Sequence, residues 1–172
     1  MTDDTSTPRS GPVVATCPGR WRHWAMGGLA ALTAYSTGVA WQAQAVSYPL
    51  YRAVSPADFP DYHRAYNRAI PGAVIAPGFL GFLACAAFPW SRPREVPRAV
   101  GWVVAGTGVG SLLVTVLWAI PRHDRLDRVG QDAATVDSLL RANAVRTGLL
   151  TVGTVALVVS LVRAAPGAAS PG

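Results

Sequence analysis

Four long stretches of this chain carry no formal charge, and they limit it to few architectures. No Asp, Glu or Arg falls between Arg22 and Arg52, between Arg68 and Arg92, or between Arg98 and Arg122. A fourth gap runs from Arg146 to Arg163. A helix needs roughly 20 apolar residues to cross the hydrocarbon of a bilayer. The first three gaps meet that length, and the fourth meets it when its helix begins before Arg146. Lipid offers no partner to a bare backbone N–H or C=O, so each span is expected to be a helix. The expected fold is all-α: an integral membrane four-helix bundle over residues 23–163, with disordered tails at 1–22 and 164–172. The spans are placed near Trp24–Val46, Ile70–Trp90 and Val100–Ile120, with the fourth ending near Val162.

The formal net charge is +6, and all 15 basic residues are Arg. In a soluble protein that balance would suggest nucleic acid. Here the arginines flank apolar spans, where they anchor to headgroups and set topology, so the expected partner is the lipid bilayer and not nucleic acid. Arg20 and Arg22 abut the first span, and the Ser91–Arg98 hairpin carries Arg92, Arg94 and Arg98. Both termini are therefore expected on the cytoplasmic side of the cell membrane. The sequence sets no oligomeric state. Cys17 and Cys85 fall at different depths, so no disulfide between them is expected.

The first loop reads as structured. Ser55-Pro56-Ala57-Asp58 offers an N-cap, a first-turn proline and an acid. Phe59, Tyr62, His63, Tyr66 and Ile70 then recur at helical spacing, which predicts a short amphipathic interfacial helix. Pro77 should kink the second span. Residues 121–130 alternate in charge and read as a wet loop, with Asp132 as the N-cap of the last helix. Trp24, Trp41, Trp90, Trp102 and Trp118 sit near span ends, as an interfacial belt requires. Gly106 and Gly110, beside Thr107, Ser111 and Thr115, suggest close helix approach.

The first and third loops emerge on one side, so their unusual residues can share a site. His63, His123 and Arg146 are the candidate catalytic groups, and Tyr62, Tyr66 and Asn143 the candidate substrate contacts. Asn143, Arg146 and Thr147 share one helix face. An arginine at the hydrocarbon boundary is costly unless paired, turned to headgroups, or kept for an anion. The bland alternatives are that Arg146 snorkels, Asn143 joins two helices, and the histidines pack or stay solvated. Nothing has the spacing of a metal site, and no nucleotide or nucleophile-elbow motif is present. No cofactor or metal is expected.

At these positions the chain resembles a known group. Pro121-Arg122-His123-Asp124-Arg125-Leu126 and Asn143-Ala144-Val145-Arg146-Thr147 are similar to paired signatures of the anthrone oxygenase-like family of small four-span membrane proteins. Tyr48-Pro49 and Phe59-Pro60-Asp61-Tyr62-His63 resemble the first loop of its bacterial members. The chain departs at Ala144, where the family often has Trp, and at Tyr66, where close relatives are expected to have His. The resemblance implies a membrane enzyme that oxidises a lipophilic aromatic or polyketide substrate with oxygen and no cofactor. His63 or His123 would be the base, and Arg146 the partner of the enolate oxygen. Two other readings stand beside it: a non-catalytic membrane partner of a larger complex, and a small transporter subunit.

Overall fold

The computed structural model describes residues 20–164. They form four long helical rods and, among the described residues, no strand. We number the rods α1 (20–53), α2 (Phe59–Ser91), α3 (Arg98–Val129) and α4 (Ala133–Ala164). The last three are long and apolar enough to cross a membrane. Of the four spans expected, three thus have rods of sufficient length and apolarity, and α1 falls short. The middle of α1 is diluted by Thr33, Tyr35, Ser36 and Thr37, and its far end by Gln42 and Gln44.

Connections this short force neighbouring rods to run antiparallel. Arg22, at the start of α1, donates to the carbonyls of Trp90 and Arg92. The start of α1 therefore shares an end of the bundle with the 92–97 connection, here the tail end. At the other end, the loop end, Gln131 donates to the carbonyls of Tyr51 and Val54 at 2.7 and 2.8 Å. α2 packs on α3, α3 on α4 and α4 on α1, while the seam between α1 and α2 is the loosest.

Three rods contain a π-helical turn: Ala43–Ser47 in α1, Pro71–Ile75 in α2 and Thr115–Ala119 in α3. Two residues beyond each stands a proline: Pro49, Pro77 and Pro121. A proline ring clashes with the carbonyl four residues before it and gives it no N–H. One extra residue in the preceding turn moves that carbonyl aside, so the helix continues instead of breaking. Where a kink is expected at Pro77, the structure has a π-turn just before the proline. In α2 the carbonyl without its donor is Ala73, and the Tyr35 hydroxyl of α1 donates to it at 2.7 Å.

This continuity bears on both loop expectations, and it overturns one. The amphipathic helix expected in the first loop, leading into the second span, is present as Phe59–Ile70 and runs through its π-turn into the rest of α2. Ser55 caps the turn before it, with Oγ accepting the Asp58 N–H. The charged stretch after Pro121 is helix rather than wet loop, and α3 ends only at Gly130, whose φ of 78° is a left-handed conformation open to glycine. Its charges do not prevent this because they divide by face. Leu126 is fully buried, and Arg122 and Arg125 reach across to Ser138 and Thr135 of α4. Asp132 caps α4 as expected, accepting from Thr135.

The rods begin and end slightly outside the expected domain limits, since Arg20–Arg22 and Ala164 are helical. The remaining residues of both expected tails, and Cys17, lie outside the described residues. Cys85 is buried and free. Close approach uses Gly101, Gly108 and Gly153, together with Gly110, whereas Gly106 faces open space. Trp24, Trp41, Trp90 and Trp102 point outward, but Trp118 turns in to donate to Ser138.

Candidate functional site

The three π-turns converge on a cavity of about 340 Å³ toward the loop end. Ala43 and Ser47 line it from the first turn, Ala73, Val74 and Ile75 from the second, and Thr115 and Ala119 from the third. π-turns are rare and cluster at functional sites. Here each is placed by its own proline, so the widened helix walls are written locally into α1, α2 and α3. Phe79, Phe82 and Leu150 close the apolar floor.

The lining also carries polar groups. Tyr48, Tyr66, His123 and Arg146 all line the cavity. Arg146 donates from Nη2 to Asn143 Oδ1 at 2.7 Å. Asn143 in turn donates to the Ala40 carbonyl at 3.0 Å and to Gln44 Oε1 at 2.8 Å, which ties α4 to α1. Arg146 has no acidic partner among the described residues. Its Nε is buried without a hydrogen-bond partner among them, and so is Ser36 Oγ, also in the cavity wall. Buried donors are normally satisfied, and two unmet groups share this one cavity. The guanidinium is near enough to Tyr48, Tyr66 and His123 to act on each electrostatically.

Behind His123 lies His63, fully buried, with Nε2 3.1 Å from His123 Nδ1. His63 Nδ1 lies 2.7 Å from Asp127 Oδ1, and Asn67 donates to the other carboxylate oxygen at 3.0 Å. On the cavity side, the Tyr48 hydroxyl is 3.3 Å from His123 Nε2. Phe59, His63 and His123 stack in sequence, with ring centroids 5.5 and 5.3 Å apart. Tyr66 lies parallel beyond them. Tyr51, fully buried, sets its edge against Phe59, Tyr62, His63 and Tyr66. This aromatic packing fixes the imidazoles in plane and position.

Of the six expected site residues, His123, Arg146 and Tyr66 share the cavity wall. His63 and Asn143 stand one layer behind, each holding a wall residue. Tyr62 does not line the cavity and is 38% exposed. Tyr48, Ser36, Asn67 and Asp127 were missed. His123 and Asp127 are i and i+4, as are His63 and Asn67, so two facing helices each present such a pair. The spacing was visible, but it carries meaning only if 121–130 is helix. No group of His, Cys, Asp or Glu suited to a metal ion occurs among the described residues.

The chain matches no family model, no curated protein and no solved structure.

Proposed function

We propose that the chain is a multi-pass protein of the cell membrane, with both termini cytoplasmic, and an enzyme acting on a lipophilic aromatic molecule. The observation that carries the reading is Arg146: a cation without an acid, its Nε unmet, in an apolar cavity beside a histidine. Such a pair suits removal of a proton from an enolisable carbon. The base takes the proton, and the guanidinium steadies the oxygen that gains charge.

The bilayer placement is supported by the outer surface. Leu80, Leu83, Leu113 and Leu117 are each more than half exposed, an arrangement suited to lipid and costly in water. The cavity wall also includes exposed Tyr35, Ile75 and Ile120, so its mouth has an apolar rim that favours entry from the bilayer. The cavity volume falls in the range of about 300–1,000 Å³ usual for small-molecule sites.

The resemblance to anthrone oxygenases gives the chemistry a concrete form. An anthrone loses a methylene proton to the His123–Tyr48 pair, and its enolate oxygen is held by Arg146. The carbanion carbon bonds to oxygen, and the peroxide takes the stored proton back. The hydroperoxide then loses water as its remaining C–H breaks, leaving the quinone carbonyl. One anthrone and one dioxygen become one anthraquinone and one water, so no cofactor is needed to balance the step.

The test uses the full chain in lipid nanodiscs, with anthrone and oxygen, following quinone absorbance against empty discs. The reading expects turnover by the protein above the uncatalysed rate. Equal rates with and without protein remove anthrone as its substrate. Orientation is tested by accessibility labelling in a cysteine-free background. Arg94→Cys should label from the cytoplasm and Asp124→Cys from outside.

A further inference from the structure

The wall groups continue into a chain of hydrogen bonds that leaves the cavity. We infer that Tyr48, His123, His63 and Asp127 form one proton relay from the cavity to the loop end of the bundle. Tyr48 is its substrate-facing terminus, and His63 is the ring on which a withdrawn proton rests. The relay stands on geometry; the role of Tyr48 at the substrate rests on the proposed function.

One assignment of hydrogens satisfies every nitrogen along this path. An ionised Asp127 only accepts, so His63 Nδ1 carries a hydrogen and donates to it. Nε2 of neutral His63 is then an acceptor, and His123 Nδ1–H supplies it. That leaves His123 Nε2 to accept the Tyr48 hydroxyl. Both rings are thus held with the hydrogen on Nδ1, by a carboxylate hydrogen-bonded to His63.

Withdrawal of a proton follows the same bonds. The substrate bond to hydrogen breaks, and its electron pair stays on the substrate as an anion. The proton goes to the Tyr48 oxygen while the Tyr48 hydroxyl proton passes to His123 Nε2. The His123 Nδ1 proton passes to His63 Nε2. Tyr48 and His123 end with as many protons as they began with, and His63 becomes an imidazolium. Asp127 stays ionised and holds it, as a positioning residue, with its second oxygen fixed by Asn67.

The charges around the path agree with this direction. Asp127 of α3 lies against His63, at the end away from the cavity. Arg146 of α4 lines the cavity, at the Tyr48 end. α1 contributes Tyr48 and Tyr51, and α2 contributes Tyr62 and Tyr66. The field therefore drives a proton from Tyr48 toward Asp127, where the carboxylate side chain is 38% exposed and meets water. A carbanion left in the cavity keeps the cation, and the proton is held one ring away from it.

The experiment reads the tautomers directly, without turnover. Histidine-¹⁵N protein with His23→Gln, in nanodiscs, shows protonated and bare ring nitrogens at well-separated shifts. The relay expects Nδ1 protonated and Nε2 bare on both His63 and His123. Asp127→Ala should move the His123 Nδ1 signal through His63, Asp127→Glu should restore it, and Asp124→Ala should change nothing. Tyr48→Phe should shift His123 Nε2 alone, which keeps the test open if an Asp127 variant fails to fold. A bare Nδ1 on either ring, or His123 signals indifferent to Asp127→Ala, overturns the relay. Anthrone added under argon should then convert His63 to the doubly protonated form, and not in Tyr48→Phe. A silent response with the tautomers as described overturns anthrone as the substrate and leaves the relay intact.

Discussion

In the tail half of this bundle helices meet through glycine; at the loop end aromatic rings and widened turns hold them apart. A Cβ on Gly108 would collide with the Cys85 side chain, and one on Gly153 would lie 2.6 Å from Thr107 Oγ1. Around them Met26, Leu29, Phe88, Val104 and Leu157 form an apolar core. The loop-end core instead contains Tyr48, Tyr51 and Phe59, and takes in Ala43 and Ala119 from the first and third π-turns. The same four rods thus carry two kinds of packing. Small residues close one half, and prolines preceded by π-turns open a cavity in the other. The contrast teaches where substitution should damage stability and where it should damage chemistry.

The largest expected effect lies on the chemical side. Arg146→Ala should lower anthrone oxidation by about 10²–10³-fold, the usual loss for one donor to a developing oxyanion. Its effect on unfolding should stay near the roughly 1.5–3 kcal/mol of a hydrogen bond made by a charged group, here the one to Asn143. Turnover and thermal unfolding in nanodiscs check the two halves separately. A variant that unfolds instead would make Arg146 a packing residue and erase the contrast.

The reverse pattern is expected in the tail half. Gly108→Leu should destabilise by about 1–3 kcal/mol through overpacking. Gly106→Leu, one residue pair away on the open face, should be nearly neutral. Thermal unfolding of both in the same lipid decides this, and equal losses would mean that the seam is not where the structure puts it.

Pro77→Ala tests the link between the two packings. With an N–H restored, α2 should regain a bond to the Ala73 carbonyl, worth about 1 kcal/mol, and release the Tyr35 hydroxyl. The π-turn should then relax to α-helix and turn Ala73, Val74 and Ile75 relative to the cavity. The expected outcome is higher stability and lower turnover in one variant, read by unfolding and by quinone formation. Unchanged turnover would show that the widened turn does not shape the site.

The comparison also explains what was legible in the sequence. Charge gaps longer than a bilayer is thick mark long helices whatever packs against them, so the rods at Val100–Ile120 and its neighbours could be read directly. Packing glycines were legible only as a class: Gly106 and Gly108 are both small, and only the rotation of α3 says which meets Cys85. The helix beyond Pro121 was hidden because proline and alternating charge both argue for a loop. Its stability comes from tertiary partners, Ser138 and Thr135 on α4, that no local pattern contains. With that helix hidden, Asp127 could not be placed four residues along the same face as His123. Arg146 was legible because an arginine beside a long apolar run needs a reason wherever it points.

The smallest effect expected is at the loop end and depends on pH. Asp132 caps α4, and the Thr135 hydroxyl hydrogen bond, aided by backbone N–H groups and by Arg125, holds its carboxyl below the usual carboxylate range. A carboxyl depressed in the folded state adds stability at and above its unfolded value and loses it as pH falls through the folded value. Asp132→Asn keeps a good capping side chain but has no charge to titrate. The parent should therefore unfold at a higher temperature than the variant near neutral pH, and the gap should close as the solution is acidified past the ordinary carboxylate range. Thermal unfolding of both proteins in nanodiscs, pH by pH, measures that gap. A gap of constant size would assign the cap to geometry alone and leave the loop end without this contribution from charge.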